Sequence, residues 1–118
     1  MGPADKGGAV DWSAALESTG NDPQLLQELI EVFLDEGPML LRAIRSALEN
    51  QDAAVLRRSA HTLKGSLRIF GVTQGVELAQ EIENRGKQQV WDGTADHCRE
   101  METFMATVLA ELKAHIHR

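Results

Sequence analysis

His61, Lys64 and Gly65 stand at i, i+3 and i+4 within SAHTLKGSLRIFG, residues 59–71, a stretch that otherwise reads as helix. The three residues therefore share one side of about one helical turn. A histidine near neutral pH offers the lone pair of one ring nitrogen, so an outward imidazole is a nucleophile. A lysine one turn away supplies positive charge for an anionic group attached there. The glycine removes side-chain bulk beside the ring and lets another surface approach. Glycine inside a helix costs about 0.5–1 kcal/mol relative to alanine, so an exposed site without a use for the space would favour alanine.

A helical wheel over residues 53–70, at about 100° per residue, sorts these side chains by face. Leu56, Ala60, Leu63, Leu67 and Phe70 form an apolar stripe about 80° wide, the predicted buried side. His61 falls roughly 160° from Leu63 and points outward. Arg57, Lys64, Gly65 and Arg68 lie one or two turns away along the outer stripe. An exposed histidine flanked by basic residues is common on helix surfaces. The mid-helix glycine is what tips the reading towards chemistry, with Lys64 and Arg68 as cations for a phosphoryl group on the imidazole.

The elements that position this helix follow from caps and periodicity. MGPADKGG reads as a disordered leader or linker remnant, and residues 1–10 are assigned to it, with the folded domain over 11–118. Asp11 caps a short helix in DWSAALES, in which Trp12 is read as a lid over the core. Asp22-Pro23 opens a helix carrying Leu25, Leu26, Leu29, Ile30 and Phe33. Gly37-Pro38 is predicted to end it and to start another helix with Leu40, Leu41, Ile44 and Leu48, closed near Asn50. Asp52 caps the histidine helix, which stops at Gly71. Thr73 is the expected cap of a helix burying Val76, Ala79 and Ile82, and the last helix runs from about Thr94. Along it Met101, Phe104, Met105, Val108, Leu112 and Ile116 make a core stripe. Short connections between amphipathic helices predict an up-down antiparallel bundle. Aromatic residues at 4% with no tyrosine fit a helical rather than a β-rich core.

Composition excludes several classes. A net charge of −6 leaves no broad basic face for nucleic acid. Cys98 is the sole cysteine, so there is neither an internal disulfide nor a CxxC metal site, and it is read as a small buried hydrophobe. His115 and His117 project about 200° apart on a helix, and with His97 they are expected to face solvent without forming a metal site. No apolar run reaches the ~20 residues of a membrane span. There is no GxxxxGK[ST] loop or other nucleotide-binding stretch.

AHTLKGSLRIFG resembles the signature of histidine-containing phosphotransfer (HPt) domains, His-x-x-Lys-Gly followed by a small residue. The resemblance extends over nearly the whole chain in helix order and spacing. It implies an all-α four-helix bundle with a short extra N-terminal helix. It also implies a phosphocarrier rather than an enzyme, with His61 the phosphoacceptor, Lys64 stabilising phosphoryl oxygens and Gly65 providing clearance. Ser66 sits where the family prefers Ser, Ala or Gly, and the wheel gives it a packing role. Polar residues of the following helix tend to lie near the imidazole, which makes Glu83, Asn84, Arg85 and Lys87 the candidates to orient it. The implied partners are receiver domains, donating from and accepting onto aspartate, with Mg²⁺ bound by the receiver and no cofactor in this chain. A kinase domain of the chemotaxis or hybrid type is the alternative donor. The rival reading is a helical interaction module that has the fold but is not phosphorylated, and the intact His61, Lys64 and Gly65 set stands against it. The likeness further implies a cytoplasmic monomer, either free or excised from a membrane-anchored sensor kinase. The docking surface is expected on the leading helix (Trp12, Ala15, Leu16) and the exposed end of the histidine helix.

Overall fold

Asp11, Asp22 and Asp52 each start a helix in the way their chemistry predicts. In the computed structural model, which describes residues 8–117, their carboxylates accept backbone N–H groups of Ala14, of Gln24 and Leu25, and of Val55. The helices so begun are α1 (Trp12–Ser18), α2 (Pro23–Asn50) and α3 (Ala53–Ile69). They are followed by α4 (Thr73–Gln88) and α5 (Thr94–Ile116). α4 departs from expectation at its start. Thr73 is its first residue rather than its cap, and the buried Val72 occupies the cap position with no side-chain hydrogen bond.

α2 corrects the predicted break at Gly37-Pro38, because it runs unbroken for 28 residues with Pro38 inside. Proline removes one N–H and crowds the carbonyl four residues back, a cost of about 3 kcal/mol. Packing on both sides of it offsets that cost. Phe33, Gly37, Ile44 and Ala47 fall on one buried face, so each half of the helix is fastened to the same core. Gly37 lets α5 close in, since a Cβ there would lie 3.3 Å from Leu109 Cδ2 and 3.4 Å from Met105 Cε. Two expected segments thus become one helix, and the long helices number four among the described residues.

Each long helix packs on its neighbour in sequence, and α2 also packs on α5, which closes an antiparallel up-down four-helix bundle. Leu56, Leu63, Leu67, Ile82, Met101, Met105 and Leu112 are fully buried along its axis. Burying one such side chain contributes ~1.5–3 kcal/mol. Phe33 and Phe70 cross at 52° with ring centroids 5.4 Å apart and close the core towards α1. The predicted stripe on α3 is buried at all five positions.

α1 covers one end. Trp12 Nε1 donates to Glu111 Oε2 at 3.1 Å, and the N–H groups of Ala9 and Val10 point to Glu111 Oε1 at 2.7 and 3.3 Å. Residues 8–10, placed in the leader by composition, therefore belong to the packed domain, with Val10 buried. Residues 1–7 lie outside the described residues. His115, expected to face solvent, is instead half-buried and stacked on Trp12, with ring centroids 3.9 Å apart and planes 16° from parallel. Trp12 is the lid that the sequence suggested, and Ala15 is buried beneath it.

Candidate functional site

The site is built where α3 and α4 approach most closely. A Cβ on Gly86 would lie 2.9 Å from Arg57 N and 3.1 Å from its Cα, so only glycine permits this backbone separation. Because the helices are antiparallel, one turn back from Gly86 is Glu83 and one turn on from Arg57 is His61. Those two side chains meet, with Glu83 Oε2 3.0 Å from His61 Nδ1. A further turn brings Gln80 to Lys64, whose Nζ donates to Gln80 Oε1 at 2.9 Å.

Glu83 is the hub. Its carboxylate is 5% exposed and also lies 2.7 Å from Lys64 Nζ through Oε1. Lys87, one turn along α4, places its Nζ 3.8 Å from Oε2. Burial raises the carboxyl pKa, but hydrogen bonds and charge from Lys64 and His61 outweigh it and hold the group below its usual value. Glu83 is therefore an ionised acceptor at neutral pH, so His61 Nδ1 must be the donor. In the neutral ring this contact holds the proton on Nδ1 and leaves the lone pair on Nε2. The His61 side chain is 66% exposed, which opens that nitrogen to a reactant.

Lys64 does not stand where the wheel placed it. Its side chain is 8% exposed and folded inward onto Glu83 and Gln80. Its Cα lies at the edge of the outer stripe, and a flexible four-carbon stem can carry the ammonium to a buried carboxylate. Arg57 and Arg68 do face solvent, one turn and two turns from His61 along α3. Gly65 is exposed, and a Cβ there would meet nothing within 4 Å. Ser66 is half-buried on the flank.

Of the four candidates on α4, Glu83 contacts the imidazole directly and Lys87 reaches the shared carboxylate. Asn84 stands one step away, accepting from Gln80 Nε2 at 2.9 Å. Arg85 is committed elsewhere, to Glu81, to the carbonyl of Asp92 at 2.8 Å and to Thr94 Oγ1 at 3.2 Å. Gln80 was not foreseen, although its position three residues before Glu83 puts it on the same face of α4. The large exposed apolar residues of α2, Leu25, Val32 and Met39, recur every seven residues, whereas the sequence points to α1 and the exposed end of α3 for such a surface.

Among the described residues no cluster of three or more His, Cys, Asp or Glu is arranged to hold a metal ion, and no helix is long and apolar enough to cross a membrane. Residues 28–117 match the family described as Hpt domain. Two solved structures share the fold. Histidine-containing phosphotransfer protein B (HptB) from Pseudomonas aeruginosa PAO1 superposes with a TM-score of 0.83 at 21% identity, over 91% of this chain and 93% of that one. The HPT domain of the Hpt sensor hybrid histidine kinase from Shewanella gives 0.82 at 25% identity, over 92% and 93%. No curated protein matches the chain.

Proposed function

The chain belongs to the Hpt domain family and is a histidine phosphocarrier of a phosphorelay, and we propose that His61 carries the phosphoryl group on Nε2. The observation that carries this assignment is the 3.0 Å contact between Nδ1 of the exposed His61 ring and the buried Glu83 carboxylate. That contact leaves one nitrogen, and only one, free to attack.

Hpt domains work with receiver and kinase domains. In the reading proposed here, the aspartyl phosphate of a receiver is the donor. The lone pair of Nε2 attacks phosphorus, the donor P–O bond breaks, and the carboxylate leaves with the electron pair. The ring becomes an imidazolium whose Nδ1–H faces Glu83, and the carboxylate opposes that charge. Reversal onto a second receiver aspartate completes the relay. Phosphoryl transfer needs in-line positioning and charge neutralisation more than covalent chemistry from the protein. The receiver is assigned the Mg²⁺ and most of the rate enhancement, while this chain supplies the oriented nucleophile and, at Gly65, the space for approach.

The test is transfer of labelled phosphate from a phosphorylated receiver. Wild type should acquire an acid-labile, base-stable label, and His61→Gln should acquire none. Label persisting on His61→Gln would overturn the assignment. Glu83→Gln should leave labelling detectable but slower, because the tautomer is no longer fixed by a carboxylate.

A further inference from the structure

We infer that Lys87, rather than Lys64, is the cation that meets the phosphoryl group once it is on His61. The inference rests on the assignment of His61 as phosphoacceptor and goes beyond it.

Lys64 has little freedom to serve. Its ammonium is sealed from solvent, 2.7 Å from Glu83 Oε1 and hydrogen-bonded to Gln80 Oε1 at 2.9 Å. Gln80 is itself held, because its Nε2 donates to Asn84 Oδ1. Moving Lys64 outward to a phosphoryl group would strip Glu83 of a partner inside the bundle, and an uncompensated buried carboxylate is costly. Lys64 is thus a structural counter-charge that keeps Glu83 ionised and aimed at His61.

Lys87 has the opposite properties. Its side chain is 54% exposed, and its Nζ stands 3.8 Å from Oε2, the same oxygen that holds His61 Nδ1. It is already drawn to the site by charge yet is only loosely engaged. Phosphorylation changes what surrounds it. A phosphoryl group brings close to two negative charges and three strong acceptor oxygens. The imidazolium formed at the same moment places a positive charge against Glu83, which weakens the pull of that carboxylate on Lys87. Both changes favour a swing of the Lys87 ammonium from Glu83 towards the phosphoryl oxygens. Glu83 and Lys64 stay in place, and Arg57 and Arg58 are the exposed charges on α3 about one turn before His61.

The consequence is measurable in the phosphorylated protein. A nearby ammonium favours the dianionic over the monoanionic phosphoryl group. Purified phospho-His61 protein is prepared with phosphoramidate and titrated by ³¹P NMR, comparing wild type with Lys87→Gln, Lys87→Arg and Arg68→Gln. The ³¹P titration midpoint of the phosphohistidine, whose ring and phosphoryl protons are both disfavoured by a nearby cation, should move to higher pH in Lys87→Gln and return towards wild type in Lys87→Arg. Arg68→Gln removes the same charge two turns from His61 and should move it less. Hydrolysis of the phosphohistidine at constant pH should change severalfold in Lys87→Gln. Circular dichroism melts confirm that each variant is folded, which the exposure of Lys87 favours.

A midpoint unchanged in Lys87→Gln, or moved equally by Arg68→Gln, overturns the role of Lys87 and leaves His61 as phosphoacceptor. Absence of any phosphoryl group on wild-type His61, from phosphoramidate and from receivers alike, overturns both.

Discussion

Lys64 Nζ and Glu83 Oε1 form a 2.7 Å ion pair between α3 and α4 with both side chains almost closed to water. Breaking such a pair from one side leaves a buried charge, at a cost of about 3–5 kcal/mol. Lys64→Met should lose that order of stability in urea denaturation. The double variant Lys64→Met/Glu83→Leu should recover much of the loss, because no charge is then stranded. Strictly additive losses would show that the two residues are not coupled.

Acid should weaken the fold through the same carboxylate. Glu83 titrates below its ordinary value of 4.5 in the folded protein, because Lys64 and His61 outweigh the effect of burial. A lowered folded value contributes stability that is fully present above the unfolded value and lost as pH falls through the folded one. The stability difference between wild type and Glu83→Gln should therefore be constant above about pH 5 and shrink below it. Melts at a series of pH values measure this. A gap that stays constant down to pH 2 contradicts the assigned direction.

Two glycines should respond oppositely to alanine. Gly65→Ala places a methyl group in open space and should raise stability by about 0.5–1 kcal/mol. Gly86→Ala drives a Cβ against the Arg57 backbone and should lower it by about 1–3 kcal/mol while loosening His61 from Glu83. Gly65→Leu should slow transfer from a receiver while sparing labelling by phosphoramidate. Equal slowing with both donors would deny that the space at position 65 serves a protein partner.

Cys98 should behave as a packed side chain. Burial, aided by the charge of Glu102 and opposed by Arg85, pushes its thiol up to about 11. At pH 8 the native protein should react with a disulfide reagent on the order of 100-fold more slowly than the urea-unfolded chain. Immediate stoichiometric labelling of the native protein would refute this.

The outward direction of the His61 side chain was legible in the sequence because His61 and the five apolar residues of its helix obey one period, and a rigid helix converts period into direction. Lys64 was misread by the same rule. A wheel fixes where Cα–Cβ points, and a long stem can turn back. Glu83 could be named only as one of four residues, since the choice depends on the register between two helices. Gly86 sets that register, and its meaning appears only when Arg57 lies against it. Gly37-Pro38 misled for a related reason. Local chemistry there favours a break, and contacts distant in sequence decide otherwise. The clasp at Glu111 joins residues about a hundred positions apart, and no local pattern announces it.

The unbroken α2 has a consequence for the architecture at its far end. At about 1.5 Å per residue it spans roughly 42 Å, matching the 41 Å long dimension of the molecule, whereas α3 covers only about 26 Å. Alongside α3, then, some 16 Å of α2 would stand bare. α1 occupies this overhang. The Asp11 N–H donates to the Phe70 carbonyl at 3.2 Å, so α1 begins where α3 leaves off, and it rests on both α2 and α3. The strut opposite α2 is thus spliced from two pieces of chain, joined where Asp11 meets Phe70, residues more than fifty positions apart. Seven residues are too few to hold a helix alone, and α1 owes its existence to the length of its neighbour.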